Sequence, residues 1–242
     1  LFEHLDQLRS AEGKVALATL VNTRGTTPRK EGAKMLVGEG GRILGSVTIG
    51  GCVDAQVIEE AASVLTAHKP RLLQLDLGDE EAWEIGLTCG GTIEVFVEPV
   101  DLGKPDDATL AIYERLKTHA EAGGRGAVLT RLEGSSGGAK MLVFDDGLRE
   151  GSLGAAALDT AAVAAAEGAI KAGKSGTLTV GGVRVFAEVF VPASILLVVG
   201  AGHVAMPMVT LARVLGFKTI VVDGRPRFAT PERFPDVDDL KI

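Results

Sequence analysis

The spacing of apolar residues changes period several times along the chain, and each change marks an element. Phe2, Leu5 and Leu8 recur at helical spacing, which predicts a short amphipathic helix over 2–9. Val15–Val21 is a continuous apolar run and reads as a strand, whereas Asn22–Gly32 is polar, rich in turn residues, and reads as a loop. Ala33–Val37 and Ile43–Val47 predict a strand pair about a glycine turn. Helical spacing returns at Val53 and continues to His68, with Val57, Ile58, Ala61, Ala62 and Leu65 on one face, and Pro70 ends it. Arg71–Leu77 alternates as a strand does, Asp79–Gly86 reads as a helical turn or loop, Thr92–Val100 is a further strand, and Leu102–Asp107 is a linker.

The pattern then begins again. GAKMLV at Gly32–Val37 recurs letter for letter at Gly138–Val143, and at the same offset Gly45 and Ser46 fall on Gly151 and Ser152. EVFV at Glu94–Val97 recurs at Glu188–Val191. These matches predict two related αβ units, residues 1–103 and 104–193, packed about a pseudo-twofold axis. On this alignment Gly50, Gly51 and Cys52 face Ala156, Ala157 and Leu158, and the loop bearing Cys89 has no counterpart. In its place Thr177–Phe190 reads as a hairpin turning at Gly181 and Gly182. The second copy keeps scaffold and drops the thiols together with their glycines.

A third segment, 194–242, reads as the N-terminal part of a Rossmann-like domain. The apolar run Ile195–Val199 leads into Gly200-Ala201-Gly202-His203-Val204-Ala205, then helical spacing to Leu215, a stop at Gly216, and a strand ending before Asp223. Gly200, Gly202 and His203 stand where a dinucleotide pyrophosphate would rest, and Asp223 where a ribose hydroxyl would be bonded. Arg225 and Arg227 leave NAD against NADP open. The fold class is therefore mixed α/β: two duplicated αβ units followed by a partial βαβ domain, its sheet completed by more chain or by another subunit, so a homo-oligomer is expected.

Composition narrows the function. A formal charge of −7 and 4% aromatic residues argue against a nucleic-acid partner, which calls for a basic face or stacking platforms. No run reaches the length of a membrane span, no basic-then-apolar leader opens the chain, and two cysteines in 242 residues make no disulfide framework, so a cytoplasmic protein is expected. The chain opens on Leu1, and the natural protein is expected to extend beyond it.

Chemistry concentrates in Gly45–Asp54, GSVTIGGCVD, where Cys52 sits behind a glycine pair at the start of a helix. Unpaired N–H groups and the helix dipole favour a thiolate or a bound anion there, and Gly50 and Gly51 let the backbone converge on it. Most cysteines are small buried hydrophobes, and the loss of this one along with its glycines in the duplicate favours function. Thr88–Gly91, with Cys89, Gly90 and Gly91, is a second glycine-flanked thiol. Arg24, Arg29, Lys30 and Lys34 gather positive charge around one loop of an acidic protein.

Together, ALATLVNTRGTTPRKEGAKMLV, GSVTIGGCVD, TCGGTIEVFVEPV, VVGAGHVA and VVDGRPRFATPERFP resemble the XdhC/CoxI family of accessory proteins for molybdenum hydroxylases. Relative to that family, Ile49 lengthens the cysteine loop by one residue, and the family's Rossmann domain runs on past Ile242. The resemblance implies a chaperone that binds molybdenum cofactor, protects it during sulfuration and inserts it into an apo-hydroxylase such as xanthine dehydrogenase, with a cysteine desulfurase as a further partner. It implies Cys52 and Cys89 as ligands of the metal, with the glycine turns, Arg24 and Arg29 around the phosphate. Two alternatives stand beside it: an NAD(P)-dependent oxidoreductase using the Gly200–Ala205 turn, and a nucleotide-like piece that serves only oligomerisation.

Overall fold

The computed structural model describes residues 13–48, 51–77, 91–104 and 107–242, and for Cys52 the backbone only. The expected helix over 2–9 lies outside the described residues. The chain divides into two compact units, Leu1–Val191 and Pro192–Ile242.

The first unit holds two antiparallel sheets of identical topology. One contains β1 (Lys14–Gly25), β2 (Lys34–Gly38), β3 (Ile43–Gly45), β4 (Arg71–Asp76) and β5 (Gly91–Asp101), in the order β3-β2-β1-β5-β4. Helix α1 (Cys52–Ala67) lies between β3 and β4 in sequence. After α2 (Ala108–Glu121), the second sheet repeats the plan with β6 (Gly126–Arg131), β7 (Lys140–Phe144), β8 (Arg149–Gly151), α3 (Ala156–Ala172), β9 (Gly176–Val180) and β10 (Val183–Phe190), in the order β8-β7-β6-β10-β9. The β9–β10 hairpin turns through Gly181 and Gly182, both at positive φ as such a two-residue turn requires.

Strand alternation explains the layering. In β1, Ala16, Ala18 and Leu20 pack with Val57, Ala61 and Val64 of α1, while Val15 and Leu17 on the opposite face meet Val128 and Leu142 of the other sheet. The second sheet likewise turns Ala127, Leu129 and Met141 onto Leu158, Ala162 and Ala166 of α3. Helix, sheet, sheet and helix are thus stacked in that order. Helix α2, in a stretch where the sequence pattern predicts a linker up to Asp107, is started by that aspartate, whose carboxylate accepts from Thr109 N and Leu110 N, both at 3.0 Å.

Register corrects the alignment of the two copies. Thr19 pairs with Lys34 and Phe96, and Thr130 with Lys140 and Phe186, so Phe96 corresponds to Phe186 and Glu98 to Glu188. The repeated EVFV letters are therefore displaced by four residues from the true match, VFVEPV against VFAEVF. An even displacement preserves the alternation of faces, so patterning alone does not expose it.

The corrected equivalence reveals a crossing. Lys34 Nζ lies 3.0 Å from Glu188 Oε2, and Lys140 Nζ lies 2.8 Å from Glu98 Oε1; all four side chains are at least nine-tenths buried. Each lysine bonds the glutamate of the other repeat, with its own Thr19 or Thr130 completing the set at 2.9 and 2.8 Å. Lys34 is thereby removed from the basic loop with which its sequence position groups it.

Tyr113 of α2 donates to Glu188 Oε2 at 2.7 Å and accepts from Lys34 at 3.0 Å. Burial, then the charges of Glu188 and Glu98, push its phenol well above the ordinary value of 10. A raised folded value means that the stability it contributes is fully present below pH ~10 and is lost as pH climbs above that. As Tyr113 is the sole tyrosine, phenolate absorbance should stay absent from the folded protein at pH ~10.5 and appear only on alkaline unfolding. Ordinary titration near pH ~10 without unfolding would contradict the buried network.

The second unit is a parallel sheet with order β11-β12-β13, from Ile195–Val199, Lys218–Val222 and Asp239–Lys241, with α4 (Ala205–Val214) between the first two strands. The third strand exceeds the expected single βαβ. Leu196 and Val198 pack into its core, whereas Ile195, Leu197 and Val199 are exposed. No helix among the described residues is long and apolar enough to cross a membrane.

Candidate functional site

In the first sheet, β1, β3 and β4 run in the same direction, so the connections that leave their ends emerge at one end of the sheet. The first connection follows Gly25 and carries Arg29 and Lys30, all exposed. The second follows Gly45 and delivers Gly51 and Cys52 at the start of α1. The third leaves Leu77 and returns at Gly91; Leu77 N donates to Gly91 O at 2.8 Å, closing its neck. Helix α1 runs back down to His68, whose ring lies 3.4 Å from Lys14 Nζ at the far end of β1. Gly50, Cys89 and Gly90 lie outside the described residues.

Gly91 has a packing reason for being glycine. It pairs with Gly25, and a Cβ on it would stand 2.3 Å from the carbonyl oxygen of Arg24. Arg24 and Gly91, singled out separately in the sequence, are thus adjacent in space.

The start of α1 is built by Asp54. Its buried carboxylate accepts from Ser46 Oγ, from Thr48 Oγ1 at 2.9 Å and from Thr48 N at 3.3 Å. In the second repeat Asp159 holds Ser152 Oγ and Leu153 N, both at 2.7 Å. The bracket is common to both copies, but the first spans one residue more between serine and aspartate, so Cys52 corresponds to Ala157, not to Leu158 as the gapless alignment has it. Gly51 caps α1 with φ 97° and no side-chain hydrogen bond, which leaves its first N–H groups uncovered by any capping side chain. Asp54 and its serine were missed in the sequence, although their recurrence in both copies was a usable signal.

Past Leu20 the pairing of β1 with β5 slips by one residue: Leu20 faces Val95, Asn22 faces Glu94, and Val21 is the extra residue of a β-bulge. The slip turns Asn22 and Arg24 to the face shared with Glu94, toward the second sheet. Asn22 Nδ2 donates to Glu94 Oε2 at 2.7 Å, and Arg184 of the second repeat reaches the same oxygen at 2.5 Å. Burial pushes the Glu94 carboxyl up, but the bonds from Arg184 and Asn22 and the charges of Arg184 and Arg24 hold it below its ordinary value.

In the second unit Gly200 (φ 107°), Gly202 and the exposed His203 form the turn before α4. Asp223 does not offer a free carboxylate there. It accepts from Ala201 N at 2.7 Å and from Arg225 Nε and Nη2 at 2.9 and 2.7 Å, which hold it far below the usual carboxylate range. A ribose would have to displace this bidentate contact. Among the described residues no cluster of three or more His, Cys, Asp or Glu is placed to hold a metal.

With this geometry in place, comparison with known proteins assigns the class. The XdhC and CoxI family model matches residues 8–76 and 120–181, and the XdhC Rossmann domain model matches 196–240; the chain belongs to the XdhC and CoxI family. It is 27% identical over 238 residues to a Bacillus subtilis protein described as a probable xanthine dehydrogenase subunit, covering 98% of this chain and 67% of that one. It is 35% identical over 120 residues to the molybdenum cofactor insertion chaperone PaoD of Escherichia coli, covering 49% of this chain and 36% of PaoD. A crystal structure described as a xanthine dehydrogenase from Bacillus halodurans is similar with a TM-score of 0.75 and 28% identity, over 99% of this chain and 67% of that one.

Proposed function

We propose that this chain is a maturation factor for a molybdenum hydroxylase, which binds the molybdenum cofactor at the end of its first sheet, shields it, and inserts it into the apo-enzyme. The observation that supports this most is the convergence of three connections, bearing Arg24, Arg29, Gly51, Cys52 and the neck at Gly91, at one end of the sheet whose diverged copy lacks the cysteines. Family membership and the likeness to PaoD supply the cargo class.

The described residues fit such a cargo. The start of α1 has no capping side chain, Asp54 turns its oxygens inward, and Arg24 and Arg29 are exposed. An anionic phosphate suits the backbone N–H groups and the arginines, and a soft metal centre suits thiolate. Because β1 turns Arg24 to the face opposite α1, a cargo held by both Arg24 and Cys52 would lie across the bare Gly25–Gly91 backbone. In this reading residues 1–103 carry the chemistry, 104–193 brace it, and 194–242 begin a Rossmann-like domain.

Protein incubated with cofactor released from a molybdoenzyme and then desalted should retain molybdenum and pterin fluorescence. Cys52→Ala should retain at least about tenfold less, no smaller a loss than that of an outer-shell partner of a metal site, and Arg24→Ala/Arg29→Ala several-fold less. Equal retention by all three proteins would sink the reading.

A further inference from the structure

The duplicate without cysteines reaches into the candidate site through two side chains. Thr177 Oγ1 of β9 donates to the carbonyl of Val21 at 2.7 Å, the bulged residue of β1. Arg184 of β10 holds Glu94, which holds Asn22, the next residue along. Both donors belong to the second repeat, and both act on the two residues at which β1 changes face.

The bulge decides where the arginine loop goes. Without the extra residue, Asn22 and Arg24 would point to the α1 side, because a one-residue shift exchanges the faces of a strand. A bulge also withdraws its residue from the ladder, so its backbone groups need partners elsewhere. Thr177 supplies one for the Val21 carbonyl. In the second sheet the ladder stops where the bulge stands in the first: Arg131, the counterpart of Leu20, pairs with Val185 as the last residue of β6, and Leu132 N donates to Arg184 O at 3.1 Å. At the place of Thr177 the first repeat has Leu72, which packs among Val21, Phe96, Leu132 and Phe186.

We propose that Thr177 and Arg184 are positioning residues through which the second repeat fixes the β1 bulge and so aims Arg24 and the 26–33 loop at the cargo. This rests on the reading of that loop as the holder of the cofactor phosphate. It assigns the second repeat a task within the first repeat's site.

Two measurements on the full chain separate the inference from the reading it rests on. Amide hydrogen exchange over 22–33 should accelerate about fivefold to tenfold in Thr177→Val, the equivalent of one hydrogen bond, and similarly in Arg184→Gln, while β6 and β7 change less than about twofold. Thr177→Ser, which keeps the hydroxyl, should restore wild-type exchange. Retention of molybdenum cofactor should fall about fivefold in Thr177→Val and Arg184→Gln and recover in Thr177→Ser, on the same scale. Unchanged exchange in both variants, or a Thr177→Ser protein as fast as Thr177→Val, overturns the inference. Faster exchange with undiminished retention supports the brace and overturns instead the assignment of the loop to the phosphate.

Discussion

Lys140→Met is expected to lower the free energy of unfolding by about 3–5 kcal/mol, because it leaves the carboxylate of Glu98 buried without its partner. Glu98 is 5% exposed at its side chain and bonded to Lys140 at 2.8 Å, so water cannot readily take the place of the ammonium. The double variant Lys140→Met/Glu98→Leu should regain most of the loss, since a buried ion pair exchanged for apolar groups of similar volume is often neutral. Urea denaturation of the three proteins reads both effects. A single variant that lost less than ~1 kcal/mol, the worth of an exposed pair, would show that the crossing is not sealed.

Gly91→Ala is also expected to destabilise the fold. Its Cβ would meet backbone, the Arg24 carbonyl at 2.3 Å, which cannot rotate away as a flexible side chain can. Overpacking of that kind costs about 1–3 kcal/mol, and here it would pry apart the Gly25–Gly91 pair that closes the end of the sheet. Gly13→Ala is the control, with nothing within 4 Å of the added carbon and an expected change within about 0.5 kcal/mol. Denaturant midpoints for the two variants test the contrast, and equal midpoints would mean that Gly91 is not held for packing.

Much of this fold was written in local patterns. The apolar runs of β1, β2 and β5, the face of α1 and the strand–turn–helix–strand order of the last segment follow from spacing, because each element packs mainly through one face. The repeat itself was legible from GAKMLV. What spacing could not supply was anything settled by pairing between distant strands. The extension of β1 to Gly25 depends on partners in β5 and not on the polarity of Asn22–Gly25, and the repeated EVFV letters do not give the correspondence of β5 with β10, because a shift by four leaves the same faces inward. The lysine inside GAKMLV was visible in both copies as a charge in the middle of an apolar strand, yet its partner lies in the other repeat. The candidate site was legible to the extent that its residues sit in turns rich in glycine. Their convergence was not, since it depends on β1, β3 and β4 running the same way.

The crossing of the two lysines also orders events in the history of the chain. Two identical copies of one repeat, side by side, could make both lysine–glutamate bonds, each chain serving the other. The same two copies could never make the bond between Glu94 and Arg184, because those positions correspond to one another and identical chains would set like against like. That contact requires copies that differ at this position, so it arose only once the two repeats had diverged, and it holds them as an unequal pair.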